Sequence, residues 1–227
     1  MLSIIVPTYN EKNNLSELVS RIKTAAKDAE IIIVDDNSPD GTADFARHLG
    51  LKVLVRPTRQ GLASAVIEGF KIAKGDLICV MDADLSHPPE VLPEMIELIK
   101  SGRSDFVIGS RLVKGGGSRD WTWYRRLFSE AARLPARPLT TIKDITSGFF
   151  MLKRSVIEGV KLNPIGFKIC LEIITKGKYK NPTEVPIIFA DRQGGRSKMG
   201  VVEIAEYFIQ LGMLYSDSLF GRLKKRG

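Results

Sequence analysis

Short runs of consecutive apolar residues alternate with segments of helical periodicity along the first half of the chain. Apolar runs without intervening polar residues are typical of strands buried on both faces, and helices between them indicate parallel βαβ units. The pattern predicts strands at residues 2–6, 30–36, 51–55, 76–82 and 105–110. It predicts helices at residues 13–27, 41–49, 61–73 and 89–100. We therefore expect an α/β fold with a mostly parallel central sheet that is flanked by helices.

The second half of the chain follows a less regular pattern. Three consecutive glycines predict a mobile loop at residues 113–121, and a further helix or a pair of strands is expected around residues 144–175. Residues 184–192 have the composition of a strand, and residues 194–200 that of a loop. An apolar-rich helix is predicted at residues 201–220, and a basic tail follows it.

Composition favours one large globular domain or two small ones. The chain has 227 residues, of which 44% are hydrophobic and 26% are charged. No apolar run reaches the roughly 18 residues that a membrane span requires, and the N-terminus lacks the features of a secretory signal. The two cysteines, Cys79 and Cys170, have neither metal-binding nor redox spacing, so we expect reduced thiols in a cytosolic protein.

The net charge of +8 predicts an anionic partner, which means nucleic acid, a phosphorylated ligand or a membrane surface. Residues 111–137 carry seven basic and two acidic side chains. A protein that binds single-stranded nucleic acid combines a basic groove with stacking aromatic residues, whereas aromatic residues make up only 7% of this chain. We therefore expect no nucleic-acid partner.

Acidic side chains follow several of the predicted strands. The first strand leads into Glu11, the second ends at Asp35 and Asp36, and the fourth ends at Asp82 and Asp84. Ligands of open α/β sheets bind beyond the carboxyl ends of the strands, where these residues are expected to converge. Asp82 and Asp84 project to the same side of an extended chain, and two like charges in that position require a cation. Such carboxylates suit Mg²⁺ or Mn²⁺ held jointly with substrate phosphates.

The acidic pairs also have structural interpretations. Asp82 and Asp84 are compatible with a solvated turn in which Asp84 caps the next helix, although their place at a strand end favours the metal site. Asp35 and Asp36 precede a typical turn sequence, and the alternative is that one of them binds a nucleotide base or ribose. His87 is interpreted as a structural histidine. The first strand lacks a following Gly-x-Gly-x-x-Gly motif, which argues against NAD.

Several motifs together resemble the family 2 glycosyltransferases of GT-A fold. They are PTYNE (7–11), VDDNSPDGT (34–42), GLASAVIEGF (61–70), DADLSHPPE (82–90) and IGSR (108–111). Further motifs narrow the resemblance to the dolichol-phosphate (polyprenol-phosphate) mannose synthases. They are WYRRLFS (123–129), DITSGFFMLKR (144–154), GFKICLEI (166–173) and RSKMG (196–200). The resemblance covers roughly residues 1–210 and implies a Rossmann-like GT-A fold, with a catalytic domain at 1–200 and an amphipathic C-terminal segment at 201–227.

The resemblance also implies roles for individual residues. The nucleotide pocket would be lined by Pro7, Tyr9, Glu11 and Asp36. Asp82 and Asp84 would hold the metal and the sugar diphosphate, and Asp84 would be catalytic. The acceptor phosphate would be bound by the catalytic residues Arg111, Arg125 and Ser129. A C-terminal loop with Arg192, Ser197 and Lys198 would close over the diphosphate or the acceptor. Some relatives have a glutamine as a further metal ligand where this chain has Ser86, so the number of protein ligands stays open.

The implied activity is the inverting, metal-dependent transfer of mannose from GDP-mannose to a polyprenyl (dolichyl) phosphate. The alternative within the same fold is a glucosyltransferase that uses UDP-glucose or another nucleotide sugar. A catalytically silent regulatory subunit is a further alternative, against which the intact acidic and basic motifs argue. Because polyprenyl phosphates reside in bilayers, we expect a peripheral protein at the cytoplasmic face of a membrane, either alone or with a separate membrane-anchoring subunit. The helix at 201–220, with Val202, Phe208, Leu211 and Leu214 on its apolar face, is interpreted as interfacial or as core-packing.

Overall fold

The computed structural model describes residues 1–119, 133–163, 168–190 and 201–224, and in the last of these ranges it describes the side chains of 205–217. The strands are β1 (Leu2–Thr8), β2 (Glu30–Asp35), β3 (Lys52–Val55), β4 (Leu77–Val80), β5 (Phe106–Ser110), β6 (Gly117–Ser118), β7 (Phe150–Lys153), β8 (Pro182–Pro186) and β9 (Ile188–Phe189). The α-helices are α1 (Lys12–Ala25), α2 (Thr42–His48), α3 (Leu62–Ile72), α4 (Leu92–Lys100), α5 (Ile169–Lys176) and α6 (Val201–Lys224). Short 3₁₀ turns occur at Pro89–Val91, Leu134–Leu139 and Arg154–Val156.

Within the described residues, seven strands form one sheet in the order β3-β2-β1-β4-β7-β5-β8. All neighbouring pairs are parallel except those of β7, which runs antiparallel between β4 and β5. The strands β6 and β9 form a separate two-stranded parallel sheet. The expected α/β fold with a mostly parallel central sheet and flanking helices is therefore confirmed.

The differences from the predicted elements lie in the second half of the chain. Residues 184–192 do not form one strand, because β8 and β9 belong to different sheets and Ile187 lies between them. In the described residues of the region around 144–175, the structure has the strand β7 and the α-helix α5. The glycine-rich loop includes the short strand β6, which the pattern did not predict. At Gly116 an added Cβ would overlap the carbonyl oxygen of Ser110, so the loop requires glycine for its close approach to the chain.

The core consists of two apolar layers, one on each face of the sheet. Side chains alternate along β1, so that Ile4 and Val6 pack against α1 and α4 while Ile5 packs against α3. Each of these three side chains is fully buried, which contributes about 1.5–3 kcal/mol apiece relative to exposure. Because both faces are covered, the strands need apolar residues at consecutive positions, and this explains the uninterrupted apolar runs in the sequence.

The helix α6 packs against the rest of the fold through one face. Tyr207, Leu211 and Leu214 are buried in the layer that contains α3 and α5, and Lys176 of α5 forms an ion pair with Asp217 at 3.0 Å. The expected apolar face was partly wrong, because Phe208 points away from Leu211 and Leu214 and is 56% exposed. The side chain of Val202 lies outside the described residues.

A second apolar stripe of α6 faces outward and consists of Phe208, Ile209 and Met213, which are 56%, 58% and 38% exposed. Ile209 and Met213 are four residues apart and lie on one side of the helix, and Phe208 flanks them. None of the helices in the described part of the chain combines the length and the apolar character needed to cross a bilayer. The domain boundary predicted at residue 200 stays a prediction.

Candidate functional site

The candidate site lies where the strand order changes direction, between β1 and β4. From β1 the chain proceeds outward to β2 and β3, and it then returns to place β4 on the other side of β1. The carboxyl ends of β1, β2 and β4 consequently open towards the same edge of the sheet, and the adjacent antiparallel β7 begins at that edge. Ligands of doubly wound α/β folds bind at such a topological switch point.

The loop after β4 carries Asp82 and Asp84 and is held by hydrogen bonds from its backbone N–H groups to its own side chains. The backbone N–H of Asp82 donates to Nδ1 of His87 at 3.2 Å, and the N–H of Ser86 donates to Oδ1 of Asp84 at 3.1 Å. Leu85 adopts a left-handed conformation with φ of 63°, which costs a non-glycine residue about 1–2 kcal/mol. Its side chain is buried in the core beside α4, and this burial holds the turn in place.

The buried side chain of His87 holds this loop in place. Its ring is 2% exposed and lies between Phe149 and Phe189, with ring centroids 5.5 and 5.4 Å away. Because Nδ1 accepts the N–H of Asp82, the neutral ring carries its proton on Nε2. The interpretation of His87 as structural agrees with this position. However, the residue has a partner, since it accepts a hydrogen bond from the backbone that carries Asp82.

The residues of the loop fit a divalent cation held jointly with a ligand. The side chain of Asp82 is 30% exposed, and a Cβ at Gly148 would lie only 3.0 Å from its Oδ2, so the glycine leaves room for the carboxylate. The hydroxyl of Ser86 is buried and has no hydrogen-bond partner within the described ranges. No group of three acidic, histidine or cysteine ligands occurs among the described residues. Two carboxylates without a complete protein cage are typical of Mg²⁺ sites that share a phosphate ligand.

The ends of β1 and β2 are joined through Asp35. This carboxylate is fully buried and accepts hydrogen bonds from Oγ1 of Thr8 at 2.8 Å, from the N–H of Ser38 at 2.9 Å and from Oγ of Ser38 at 2.6 Å. Asp35 therefore has a structural role, and the role of Asp36 in nucleotide binding stays a prediction.

Asp36 forms a buried ion pair with Arg56, whose side chain is 1% exposed. Arg56 also donates to Oγ of Ser64 and, through Nη2, to the carbonyl of Gly61 at 2.7 Å. The N–H of Gly61 in turn donates to Oδ2 of Asp36 at 3.1 Å. This network fixes both ends of the segment 56–61 against the end of β2. Sequence inspection missed Arg56, because an arginine after a strand resembles an ordinary loop residue and its burial depends on tertiary contacts.

Tyr9 and Glu11 follow β1 at the same edge. The guanidinium carbon of Arg59 lies 4.5 Å from the centroid of the Tyr9 ring. Glu11 is 7% exposed, and its Oε2 accepts a hydrogen bond from Nδ2 of Asn14 at 2.8 Å. Pro7 lies within β1, one residue before the strand ends. These residues are therefore close to the switch point, as the resemblance implies, and their roles in nucleotide binding stay predictions.

Basic side chains lie beyond β5, around the buried carboxylate of Asp144. Arg111 donates to this fully buried carboxylate from its backbone N–H at 3.0 Å, from Nε at 2.8 Å and from Nη2 at 2.7 Å. Burial raises the pKa of Asp144, but the hydrogen bonds and charge of Arg111 outweigh this effect and hold the pKa below its ordinary value. Asp144 consequently stays ionised and holds the guanidinium in a fixed orientation.

Two further cations join this cluster, and sequence inspection did not single them out. Lys168 is 9% exposed, and its Nζ lies 4.0 Å from the centroid of the Tyr207 ring of α6. Burial lowers the pKa of Lys168 to about 8, and the positive charge of Arg111 adds to this effect. Burial likewise lowers the pKa of Arg133, which is 7% exposed. The sequence offers one signal for Lys168, which lies directly between the apolar residues Phe167 and Ile169.

The arrangement combines two chemically different surfaces at one edge of the sheet. Carboxylates gather near β1, β2 and β4, whereas the cations around Asp144 gather beyond β5. Arg125, Ser129, Arg192, Ser197 and Lys198, which were also predicted to contribute, lie outside the described residues. An acidic half that suits a cation and a basic half that suits an anion can hold two ligands of different charge side by side.

Residues 3–160 match the family described as Glycosyl transferase family 2. The chain is 52% identical over 216 residues to a dolichol-phosphate mannosyltransferase of Pyrococcus furiosus; this match covers 91% of the chain and 61% of that protein. It is 41% identical over 232 residues to a dolichol-phosphate mannosyltransferase of Saccharomyces cerevisiae, with 94% of the chain and 86% of that protein covered. The chain thus spans about three fifths of the length of the Pyrococcus protein.

Among solved structures, the fold is similar to that of glucosyl-3-phosphoglycerate synthase from Mycobacterium tuberculosis, which was crystallised with Mn²⁺, UDP-glucose and phosphoglyceric acid. The TM-score is 0.68 at 17% sequence identity, and the match covers 93% of this chain and 80% of that one. At this level of identity the similarity concerns the fold alone, and it confirms the GT-A architecture.

Proposed function

Since the chain belongs to glycosyl transferase family 2, we propose that it transfers mannose from GDP-mannose to a polyprenyl (dolichyl) phosphate and produces polyprenyl-phosphate mannose. The observation that carries this proposal is the juxtaposition of the acidic loop at Asp82 and Asp84 with the buried cations around Asp144 at one sheet edge. The names of the Pyrococcus and Saccharomyces relatives support the choice of sugar and of acceptor.

The donor is assigned to the acidic half of the site. Pro7, Tyr9, Glu11 and Asp36 would line the nucleotide, and Asp82 and Asp84 would hold Mg²⁺ or Mn²⁺ together with the diphosphate. When bound, the cation would supply Lewis-acid stabilisation for the negative charge that develops on the departing diphosphate. The hydrogen bonds on either side of Leu85 hold the backbone that carries the two carboxylates, so this loop would orient the diphosphate before the reaction begins.

The acceptor phosphate is assigned to the cations around Asp144, which we name the basic cluster: Arg111, Arg133 and Lys168. A phosphate monoester has a second pKa of about 6, so its oxygen is already anionic at neutral pH and needs no general base. What it requires is positioning, which the planar guanidinium of Arg111 provides because Asp144 fixes its orientation. By the resemblance, Arg125 and Ser129 would contribute to the same site, and Arg192, Ser197 and Lys198 would close over it.

The proposed reaction is a single displacement. An acceptor phosphate oxygen forms a bond to C1 of mannose, while the bond between C1 and the oxygen of the diphosphate breaks on the opposite side. GDP leaves with the electron pair of that bond, and no proton has to be removed from the acceptor. An in-line attack of this kind inverts the anomeric centre and gives a β-linked product.

A lipid acceptor requires that the site lie close to a membrane surface. The outward stripe of α6, formed by Phe208, Ile209 and Met213, supports peripheral binding, because these apolar side chains are exposed while the opposite face of the helix is packed in the core. We propose binding at the cytoplasmic face. A separate membrane-anchoring subunit is the alternative to direct binding, and sedimentation of the chain alone with lipid vesicles distinguishes the two.

The decisive experiment is a transfer assay with labelled GDP-mannose and a short polyprenyl phosphate, performed with Mn²⁺, with Mg²⁺ and with excess chelator. We expect mannosyl lipid in the presence of either metal and little product under chelation. Undiminished transfer under exhaustive chelation would contradict the metal role. Parallel reactions with UDP-glucose test the alternative donor, and faster transfer of glucose would replace the mannose assignment.

A further inference from the structure

The segment 56–61 places an arginine over the tyrosine that follows β1. The guanidinium carbon of Arg59 lies 4.5 Å from the ring centroid of Tyr9, which is the distance of a stacked cation–π contact. Arg59 itself is exposed, and Tyr9 is half-buried. The flat guanidinium thus covers a face of the ring at the edge of the sheet where a nucleotide is expected.

The position of Arg59 is set by the buried network beneath it. Arg56, three residues earlier, forms an ion pair with Asp36, and its backbone N–H donates to the carbonyl of Asp35 at 2.9 Å. Gly61, two residues later, donates to the carboxylate of Asp36 at 3.1 Å. The segment is therefore anchored on both sides of Arg59, and the long exposed side chain can change its rotamer without a movement of the backbone.

We propose that Arg59 recognises the base of the donor nucleotide and selects guanine, so that it is a specificity-determining residue of the nucleotide pocket. This inference rests on the proposed function. A base stacked on Tyr9 would take the place that the guanidinium occupies in the structure, and Arg59 would then bind the edge of that base from its anchored segment.

The chemistry of the bases favours guanine in this arrangement. Guanine presents two adjacent acceptors, O6 and N7, which match the paired N–H donors of an arginine. Adenine presents a donor at N6 beside its acceptor N7, so the arginine meets one repulsive group. Uracil offers the O4 carbonyl alone and accepts only one of the two hydrogen bonds. A bidentate contact of this kind corresponds to about 10- to 100-fold discrimination between bases.

The test is calorimetric titration of the full chain with GDP, UDP and ADP at one fixed Mg²⁺ concentration. The variants are Arg59→Ala and Arg59→Lys, and the control is Arg103→Ala, an exposed arginine that contacts Ser101 and Glu97 after α4. We expect Kd for GDP to rise about 10- to 100-fold in Arg59→Ala, and Kd for UDP to rise by a smaller factor because uracil accepts only one hydrogen bond. Arg59→Lys keeps the charge but lacks the planar fork, so it should also lose the preference for GDP.

The possible results distinguish a failure of this inference from a failure of the proposed function. If the wild-type chain prefers GDP and both Arg59 variants keep that preference, the role of Arg59 is overturned and the proposed donor stands. If the wild-type chain binds UDP as tightly as GDP, the guanine donor and the role of Arg59 both fall. Thermal unfolding of each variant shows whether the fold is retained, which is expected because the substituted side chain is exposed.

Discussion

Replacement of Lys168 by methionine is expected to stabilise the protein at neutral pH and to weaken its binding of the acceptor. Methionine retains the length of the apolar stem but removes the charge. The pKa of Lys168 falls from the ordinary 10.5 to about 8, chiefly through burial. At about 1.4 kcal/mol for each pKa unit, the charged lysine costs the folded state about 3 kcal/mol.

The contact between Lys168 and Tyr207 offsets part of this cost. A desolvated cation over a tyrosine face contributes about 1–2 kcal/mol, and the Nζ lies 4.0 Å from the ring centroid. We therefore expect the Lys168→Met variant to be more stable than wild type by about 1–2 kcal/mol at pH 7. Urea denaturation of both proteins measures this difference.

The stability difference between the two proteins should depend on pH in a defined direction. Between pH 8 and 10.5 the unfolded chain binds more protons at this lysine than the folded chain does, so the stability of wild type rises with pH across that window. The advantage of the Lys168→Met variant should accordingly disappear by about pH 10.5. Because other titrating groups are common to both proteins, the difference between them isolates this lysine.

Lys176→Met is a matched control with the opposite expectation. Burial lowers the pKa of Lys176, but its hydrogen bonds to Glu172 and Asp217 outweigh this effect and raise the pKa. Loss of this lysine leaves the buried Glu172 without its cation and should destabilise the protein. In steady-state kinetics, only Lys168→Met should raise KM for the polyprenyl phosphate. A Lys168→Met variant that is less stable at pH 7, or that keeps the wild-type acceptor KM, would refute the reasoning.

Three further variants test the remaining parts of the site. Asp84→Ala should abolish metal-dependent binding of GDP in calorimetry while the fold persists, and full transfer activity would contradict the metal role. Asp144→Asn should cost about 3–5 kcal/mol in urea denaturation, because it leaves a buried guanidinium without its charge partner; a loss below about 1 kcal/mol would count against the ion pair. Serine at Phe208, Ile209 and Met213 should reduce vesicle sedimentation with little change in stability, and unchanged sedimentation would exclude this stripe as the membrane contact.

The first half of the fold could be predicted because local pattern and tertiary role coincide there. Strands β1, β2 and β4 are buried on both faces, so consecutive apolar residues identify them without knowledge of their neighbours. The four-residue strand β7 also lies in an apolar run, but its antiparallel insertion between β4 and β5 depends on contacts distant in sequence. The separation of β8 from β9 also depends on contacts distant in sequence, because β8 pairs with β5 of the large sheet whereas β9 pairs with β6 of the small one.

The residues of the candidate site likewise include some that the sequence predicts and some that it does not. Asp82 and Asp84 could be identified because they directly follow a strand whose direction fixes the edge they reach. Arg56 and Lys168 could not, because a basic side chain is ordinarily exposed and the apolar neighbours of Lys168 in sequence do not show which residues cover it. Their positions depend on partners far along the chain, such as Tyr207 of α6 for Lys168.

Energetically unfavourable features of the described residues are concentrated at the carboxyl edge of the sheet. Asn10, Asn37 and Leu85 have φ values of 58°, 60° and 63°, and they lie in the loops that follow β1, β2 and β4. The buried lysine at position 168 belongs to the same side of the molecule, next to Asp144. Strain of this kind persists only where the surrounding structure overdetermines it, and here the two apolar layers supply the necessary free energy. Substitutions that relieve it should therefore increase stability and reduce function together, which is the pattern expected of a preorganised site.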